Sequence, residues 1–187
     1  ITSMGGDAFR SCSSLKSITV PEGVSIINDS TFSYCSKLES ITLPESTTSI
    51  GGDAFRSCSS LKSITIPKNV ISIGRYAFFA CYSFTSISLP QNLTTVSESL
   101  FYNCNNLTSI YIPEGVTEIL MNAFYNCSKL ESITIPKNIC SISTDAFLFC
   151  TSLKAVTVDI DNSYYSDIDG VLFNNDHTSI IICPNNK

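Results

Sequence analysis

A period of 23 residues runs through this chain and decides its architecture before any local reading can. Phe9, Phe32, Phe55, Phe78, Phe101, Phe124 and Phe147 follow one another at that step without an insertion. Cys12, Cys35, Cys58, Cys81, Cys104, Cys127 and Cys150 each come three residues after one of them. A leucine column (Leu15, Leu38, Leu61, Leu107, Leu130, Leu153, with Phe84 standing in once) and an isoleucine column ending in Val156 keep the same spacing. Residues 1–20 match residues 47–66, two periods away, at 17 of 20 positions, so copies arose in blocks. One repeat buries too little apolar surface to offset the entropy of ordering its backbone. Stacking covers both flat faces of each copy, which predicts a solenoid of about seven coils.

Within a copy, Ser17, Ile18, Thr19 and Val20 alternate polar and apolar with β-branched side chains, the pattern of a half-buried strand. Pro21 ends it and opens a turn whose third position is Gly23, Asn69, Asn92, Gly115 or Asn138 in successive copies. A second apolar pair, as at Val70 and Ile73, leads through Gly74 into a stretch around Ala77, Phe78 and Cys81. At 100° per residue Ala8, Cys12 and Leu15 share one face, so this stretch reads as a short helical turn with position 10 pointing outward.

The segment LKSITIPKNVISIGRYAFFAC, Leu61 to Cys81, carries the pattern LxxIxxPxxVxxIGxxAFxxC and resembles the BspA-like (treponemal-type) leucine-rich repeat family. The resemblance covers residues 1 to about 158, and Asp169 to Asn186 is similar to the hairpin module that interrupts or ends such arrays. It implies a right-handed curved solenoid used for binding, often as a microbial surface adhesin. The expected class is therefore α/β: a leucine-rich-repeat solenoid over 1–158, with a parallel sheet on the concave face and short helical turns on the convex face. An acidic C-terminal β-hairpin cap over 159–187 continues it, with strands at Val171–Phe173 and Ser179–Cys183. Val24 comes one place earlier than the general leucine-rich pattern has its apolar residue, which leaves the horseshoe curvature open.

Composition removes several classes of function. With 43% apolar and 14% charged residues the chain carries core material that a disordered sequence lacks. No apolar run approaches the ~20 residues of a bilayer span, so no membrane insertion is expected. The net charge is −5, of which residues 155–187 contribute −4 (five Asp against Lys187), so no basic face exists to meet nucleic acid. His177 is the single histidine, and with neither phosphate loop nor nucleophile motif the chain reads as non-catalytic and without cofactor or metal. Asp159, Asp161, Asp167 and Asp169 imitate calcium spacing, but Gly170 stands where an EF-hand needs its closing Glu. A solvated acidic cap is the expected reading.

The outward strand positions form a row of hydroxyls: Ser63, Thr65, Ser86, Ser88, Ser109, Ser132 and Thr134, preceded by Ser17, Thr19, Ser40 and Thr42 and interrupted by Tyr111. Such a row suits a β-favouring wet sheet, or a ligand-binding face with Tyr111 as its anchor. An ice-binding hydroxyl array is a remote alternative that Tyr111 spoils. Position 10 yields a second candidate patch, Phe79, Tyr102, Tyr125 and Leu148 beside Phe149, which reads equally as packing between coils. The seven column cysteines are expected as buried free thiols. Cys140 and Cys183 lie off the column, and whether they form a disulfide is open from sequence. Asn28, Asn92, Asn106 and Asn126 head Asn-x-Ser/Thr sequons that a secretory pathway could glycosylate. Columns pairing Lys16, Glu39 and Lys62, and Glu131 with Lys154, predict weak ion pairs between coils.

Ile1 lies partway through a repeat, so the first coil should present apolar surface and the chain reads as a fragment prone to end-to-end self-association. The functional expectation is a protein-recognition module of a microbial surface or secreted protein, binding a host or matrix protein. The alternative is a cytoplasmic protein-interaction scaffold with reduced cysteines.

Overall fold

The computed structural model describes residues 1–184; the last three residues of the expected cap lie outside them. Each coil carries two short strands. The Ser-Ile-Thr segments form β1 (Ser17–Thr19), β3 (Ser40–Thr42), β6 (Ser86–Ser88), β8 (Ser109–Tyr111), β10 (Ser132–Ile135) and β12 (Ala155–Val158). A second column, which the sequence reading took only as an apolar pair, forms β2 (Ile26–Ile27), β4 (Ser49–Ile50), β5 (Ser72–Ile73), β7 (Thr95–Val96), β9 (Glu118–Ile119) and β11 (Ser141–Ile142). All pairings within both columns are parallel and join residues 23 apart, for example Ile18 with Ile41 and Ile27 with Ile50. The Ser-Ile-Thr rung recurs seven times from Ser17 to Ala155, counting the unassigned rung at 63–65, so about six complete turns separate first from last. That is one fewer than the seven coils expected.

The expected helical turns are absent: no helix occurs among the described residues. Positive φ at two positions per coil stops the helix. One column holds Asp7, Ser30, Asp53, Tyr76, Ser99 and Asn122; the other holds Ser11, Tyr34, Ser57, Ala80, Asn103, Asn126 and Phe149. An L-residue there costs roughly 1–2 kcal/mol, so something must over-determine it. The hydrogen bonds explain the choice. Alternate amides bond within the coil, as Ala8 to Gly5, Arg10 to Asp7 and Cys12 to Phe9. The amides between them, of Asp7, Phe9 and Ser11, donate across to Asp29, Thr31 and Ser33 of the next coil at 2.7–3.1 Å. A helix would spend every amide on its own axis and leave the coils untied. Helical angle arithmetic still placed Phe and Cys inward, because both geometries bring residues three apart to one side.

That inward side is a column of side chains. Phe9, Phe32, Phe55, Phe78, Phe101, Phe124 and Phe147 stack with ring centroids 5.0–5.7 Å apart and planes within 15°. Beside them, each cysteine thiol from Cys35 to Cys150 in the column donates to the carbonyl of the Phe 26 residues earlier, at 3.0–3.2 Å. The sulfur thus fills a small apolar gap and adds a second donor to a carbonyl that already accepts the amide of the cysteine three residues on, as Phe78 does from Cys81. Close packing also selects glycine. A Cβ on Gly74 would overlap the backbone of Gly52 on the preceding coil.

The two ends differ. In the first coil Phe9, Leu15 and Ile18 are half-buried and Cys12 is exposed, whereas Phe147, Cys150, Leu153 and Val156 in the last are buried. A three-stranded antiparallel sheet covers the latter: β13 (Tyr165–Ile168), β14 (Val171–Asn174) and β15 (Ile180–Ile182). The hairpin of β14 and β15 was expected, while β13 was not. Asp169 and Gly170, with φ of 50° and 81°, make the two-residue turn between β13 and β14 that right-handed strand twist favours. The Gly170 carbonyl also accepts from the Val156 amide at 2.9 Å, and Leu172 is fully buried.

Burial holds the column thiols protonated. Desolvation pushes Cys104 and Cys150 up to about 12 and raises Cys35, Cys58, Cys81 and Cys127 as well. An unfolded thiol titrates near ~8.5, so the native state holds protons that the unfolded state releases above that pH. Stability from these six thiols is present below it and is lost as pH rises from there toward about 12. At neutral pH a thiol reagent is expected to modify Cys12, Cys140 and Cys183, the three exposed cysteines, at once and the other six only after denaturation. Titration with Ellman's reagent before and after adding guanidinium measures this directly.

Candidate functional site

Two surfaces carry the residues that the sequence singled out. On the strand face Ser63, Thr65, Ser86, Ser88, Ser109, Ser132 and Thr134 are all exposed, as are Ser17, Thr19, Ser40 and Thr42. Alternation produces this: the Ile between each pair is buried, or half-buried at Ile18 in the first coil, so the flanking residues must face out. None of these hydroxyls bonds to a protein side chain or carbonyl among the described residues. Tyr111 rises from the row with 53% of its surface exposed.

The sheet beneath is not continuous. It divides into the pairs β1 with β3, β6 with β8 and β10 with β12, and the rung at Ser63–Thr65 joins no ladder. A cleft of about 240 Å³ lies between that rung and Ser86–Ser88. A second cleft, of about 270 Å³, opens where β8 and β10 fail to pair. Tyr111, Glu114, Thr134, Pro136 and Asp159 line it.

The second surface is an outer aromatic stack. Phe79 lies on Tyr102 at 4.9 Å, Tyr102 on Tyr125 at 4.4 Å, and Phe149 meets Tyr125 edge-on at 5.1 Å. Arg56 closes the other end, its guanidinium 4.4 Å from the Phe79 centroid and held by Asp53 at 2.9 Å. Desolvation, followed by the hydrogen bond with Tyr125, raises the Tyr102 phenol above its ordinary value. These rings spend their faces on one another and are half-buried, leaving edges and hydroxyls to solvent. Ser33, in the same column, is buried, while Leu148 and Phe149 at the far end are about half exposed.

The remaining candidates resolve into structural roles. Asn28, Asn92, Asn106 and Asn126 each donate Nδ2 to the neighbouring coil: to Met4 O, Lys68 O, Tyr82 O and Asn103 Oδ1 at 2.5–3.2 Å. A glycan would have to attach at that same nitrogen. Asn69 and Asn138 do likewise to Glu45 O and Glu114 O, which explains asparagine in the turn column. All nine cysteines are free, Cys140 and Cys183 included. The acidic residues serve local structure: Asp159 accepts from the Asp161 amide and Asp176 from Thr178 in turns, and Asp167 accepts from the Val158 amide, tying β13 to β12. No group of three or more His, Cys, Asp or Glu able to hold a metal gathers among the described residues. Among them too, no helix is long and apolar enough to cross a membrane. Lys154 pairs with Glu131 at 2.8 Å, whereas Lys62 reaches Glu39 only at 4.0 Å. The fold also places His177 Nε2 2.8 Å from Ser166 Oγ, a contact across the cap sheet that sequence spacing does not reveal.

The two surfaces differ in what they do for stability. Tyr102→Ala removes two stacked contacts and is expected to cost about 1–3 kcal/mol beyond the lost burial, whereas Tyr111→Ala should stay within ~0.5 kcal/mol of the parent. Denaturant midpoints of the two variants measure the difference.

Comparison with known proteins agrees with this architecture. The profile of the BspA type leucine rich repeat region matches in six copies, over residues 2–131 and 49–180. A Treponema pallidum leucine-rich repeat protein superposes with a TM-score of 0.78 at 29% identity, covering 82% of this chain and 72% of its own. A leucine-rich cell surface protein of Faecalibacterium prausnitzii gives 0.69 at 30% identity over 90% of this chain, and the pneumococcal vaccine antigen PcpA gives 0.67 at 26% over 91%. This chain spans 54% and 47% of those two. No curated protein sequence matches it. The repeat profile covers well over half of the residues, and the chain belongs to the BspA-type leucine-rich repeat family.

Proposed function

We propose that the chain is a non-catalytic recognition module of a microbial surface or secreted protein, and that it binds a host or matrix protein through its strand face. The observation that carries this is Tyr111: an exposed aromatic ring, free of ring partners, among unbonded hydroxyls and beside an open cleft. Amphipathic rings of this kind anchor protein interfaces because they bury large area at little entropic cost. Two further points support the reading. The repeat family is one of protein-interaction modules, and similar structures include a protein described as a leucine-rich cell surface protein and one described as a vaccine antigen. The fold alone supplies no substrate chemistry.

The outer stack at Phe79, Tyr102, Tyr125 and Leu148 is the second candidate interface, favoured by its row of exposed ring edges and by Phe149 at its end. Its faces are already occupied, so it offers a partner only edges and hydroxyls. The intracellular scaffold reading uses the same surfaces and differs only in compartment. Asn92, Asn106 and Asn126 donate their amides to the neighbouring coil, a role that serves in either compartment.

Surface plasmon resonance against a panel of purified matrix proteins separates the two faces. Tyr111→Ala is expected to weaken binding about tenfold or more, the cost of losing an interface anchor. Tyr102→Phe with Tyr125→Phe, which keeps the stack and removes only hydroxyls, should leave binding unchanged. The reverse outcome assigns the interface to the outer stack.

A further inference from the structure

We propose that the cleft beside Tyr111 receives an arginine side chain presented by the protein partner; this assignment rests on the strand-face reading above and names the chemistry of its contact. The cleft combines three features. One wall is the exposed Tyr111 ring, whose face no other ring or cation covers among the described residues. Two acidic residues, Glu114 and Asp159, line it, and no lysine or arginine does so among the described residues. Its remaining lining includes Ile112 and Pro136, both buried apolar residues.

Neither acid is neutralised within the protein. Glu114 makes no side-chain hydrogen bond and no ion pair among the described residues, even though Lys137 occupies the equivalent position on the next coil. Asp159 gives one oxygen to the Asp161 amide at 2.9 Å, and its other oxygen has no partner among the described residues. The backbone holds Asp159 in place: its own amide donates to Ile135 O at 2.9 Å, continuing the pairing of β12 with β10. The opening itself comes from the missing pairing between β8 and β10. Past the bond from the Glu131 amide to Thr108 O at 3.2 Å, no ladder joins the two strands.

These features match a guanidinium better than any other side chain. Its plane stacks on a phenol face, its fork of donors meets carboxylate oxygens in pairs, and its methylene stem packs on apolar walls. An ammonium satisfies the charge but neither the plane nor the fork. The surplus of acid in residues 155–187, −4 of the total −5, adds a field that draws a cationic group toward this end.

The test titrates isotope-labelled protein with a blocked Gly-Ser-Arg-Ser-Gly peptide and with its lysine and citrulline counterparts, reading the Tyr111 ring and the amides of residues 109–112 by NMR. Saturable shifts with the arginine peptide are expected. Citrulline in the peptide, or Glu114→Gln or Asp159→Asn in the protein, should weaken binding about tenfold, and added salt should weaken it further. Asparagine at 159 keeps the turn to Asp161 and removes only the charge. Equal binding of the citrulline peptide, or no Tyr111 shift at the highest soluble concentration, overturns the proposal. Capture of a matrix protein that is lost with Tyr111→Ala but unchanged by both charge removals also overturns it, while leaving the strand face as the interface.

Discussion

Lateral contact at the turn column is what the rest of the structure depends on. Each coil meets the next through a stacked phenylalanine, a thiol donated to that ring's own carbonyl and a set of backbone amides turned sideways. All three require an unvarying step: one inserted residue would set each Phe opposite a neighbour of the next Phe and aim the thiol at the wrong carbonyl. The uninterrupted 23-residue spacing is the imprint of that requirement. It also accounts for thirteen non-glycine residues held at positive φ in the two columns. The local cost is repaid by lateral hydrogen bonds and by burial of a continuous aromatic column.

The outer surface inherits its properties from this stacking. Any residue repeated at the same place in successive coils finds its copy 5 Å or so away, so a run of aromatic residues collapses into a stack and withdraws from solvent. That happens at Phe79, Tyr102 and Tyr125. A residue that differs from its column neighbours has nothing to stack on and stays available. Tyr111, flanked by Ser88 and Thr134, is such a residue. In a solenoid of near-identical coils, departure from the repeat is therefore the better indicator of a binding residue. The same rule explains the asparagines: repeated, they become rungs between coils.

Much of this was legible beforehand. Column spacing identified the inward Phe, Cys and Leu, the outward hydroxyls and the parallel register of Ile18 with Ile41, because each follows from stacking identical units. The turn column was misjudged as helical, since residues three apart share a side in either geometry and nothing in Tyr34, Ala80 or Phe149 advertises a positive φ. The second strand column escaped notice because two residues are too few to show alternation. Strand β13 and the contact of His177 with Ser166 depend on how the cap folds back across the last coil.

What the sequence determined by itself is the repeat unit, its step and the sorting of side chains into core and surface. These are properties of one coil multiplied. What only the tertiary structure decided is where neighbouring coils close and where they part. Residues 15–19 and 61–65 are the same five residues, Leu-Lys-Ser-Ile-Thr, yet the first set pairs with its neighbour and the second joins no ladder. The five-residue preference is identical in the two places, so the difference lies in the packing around them rather than in the segment itself. The clefts of the strand face open where that pairing is missing.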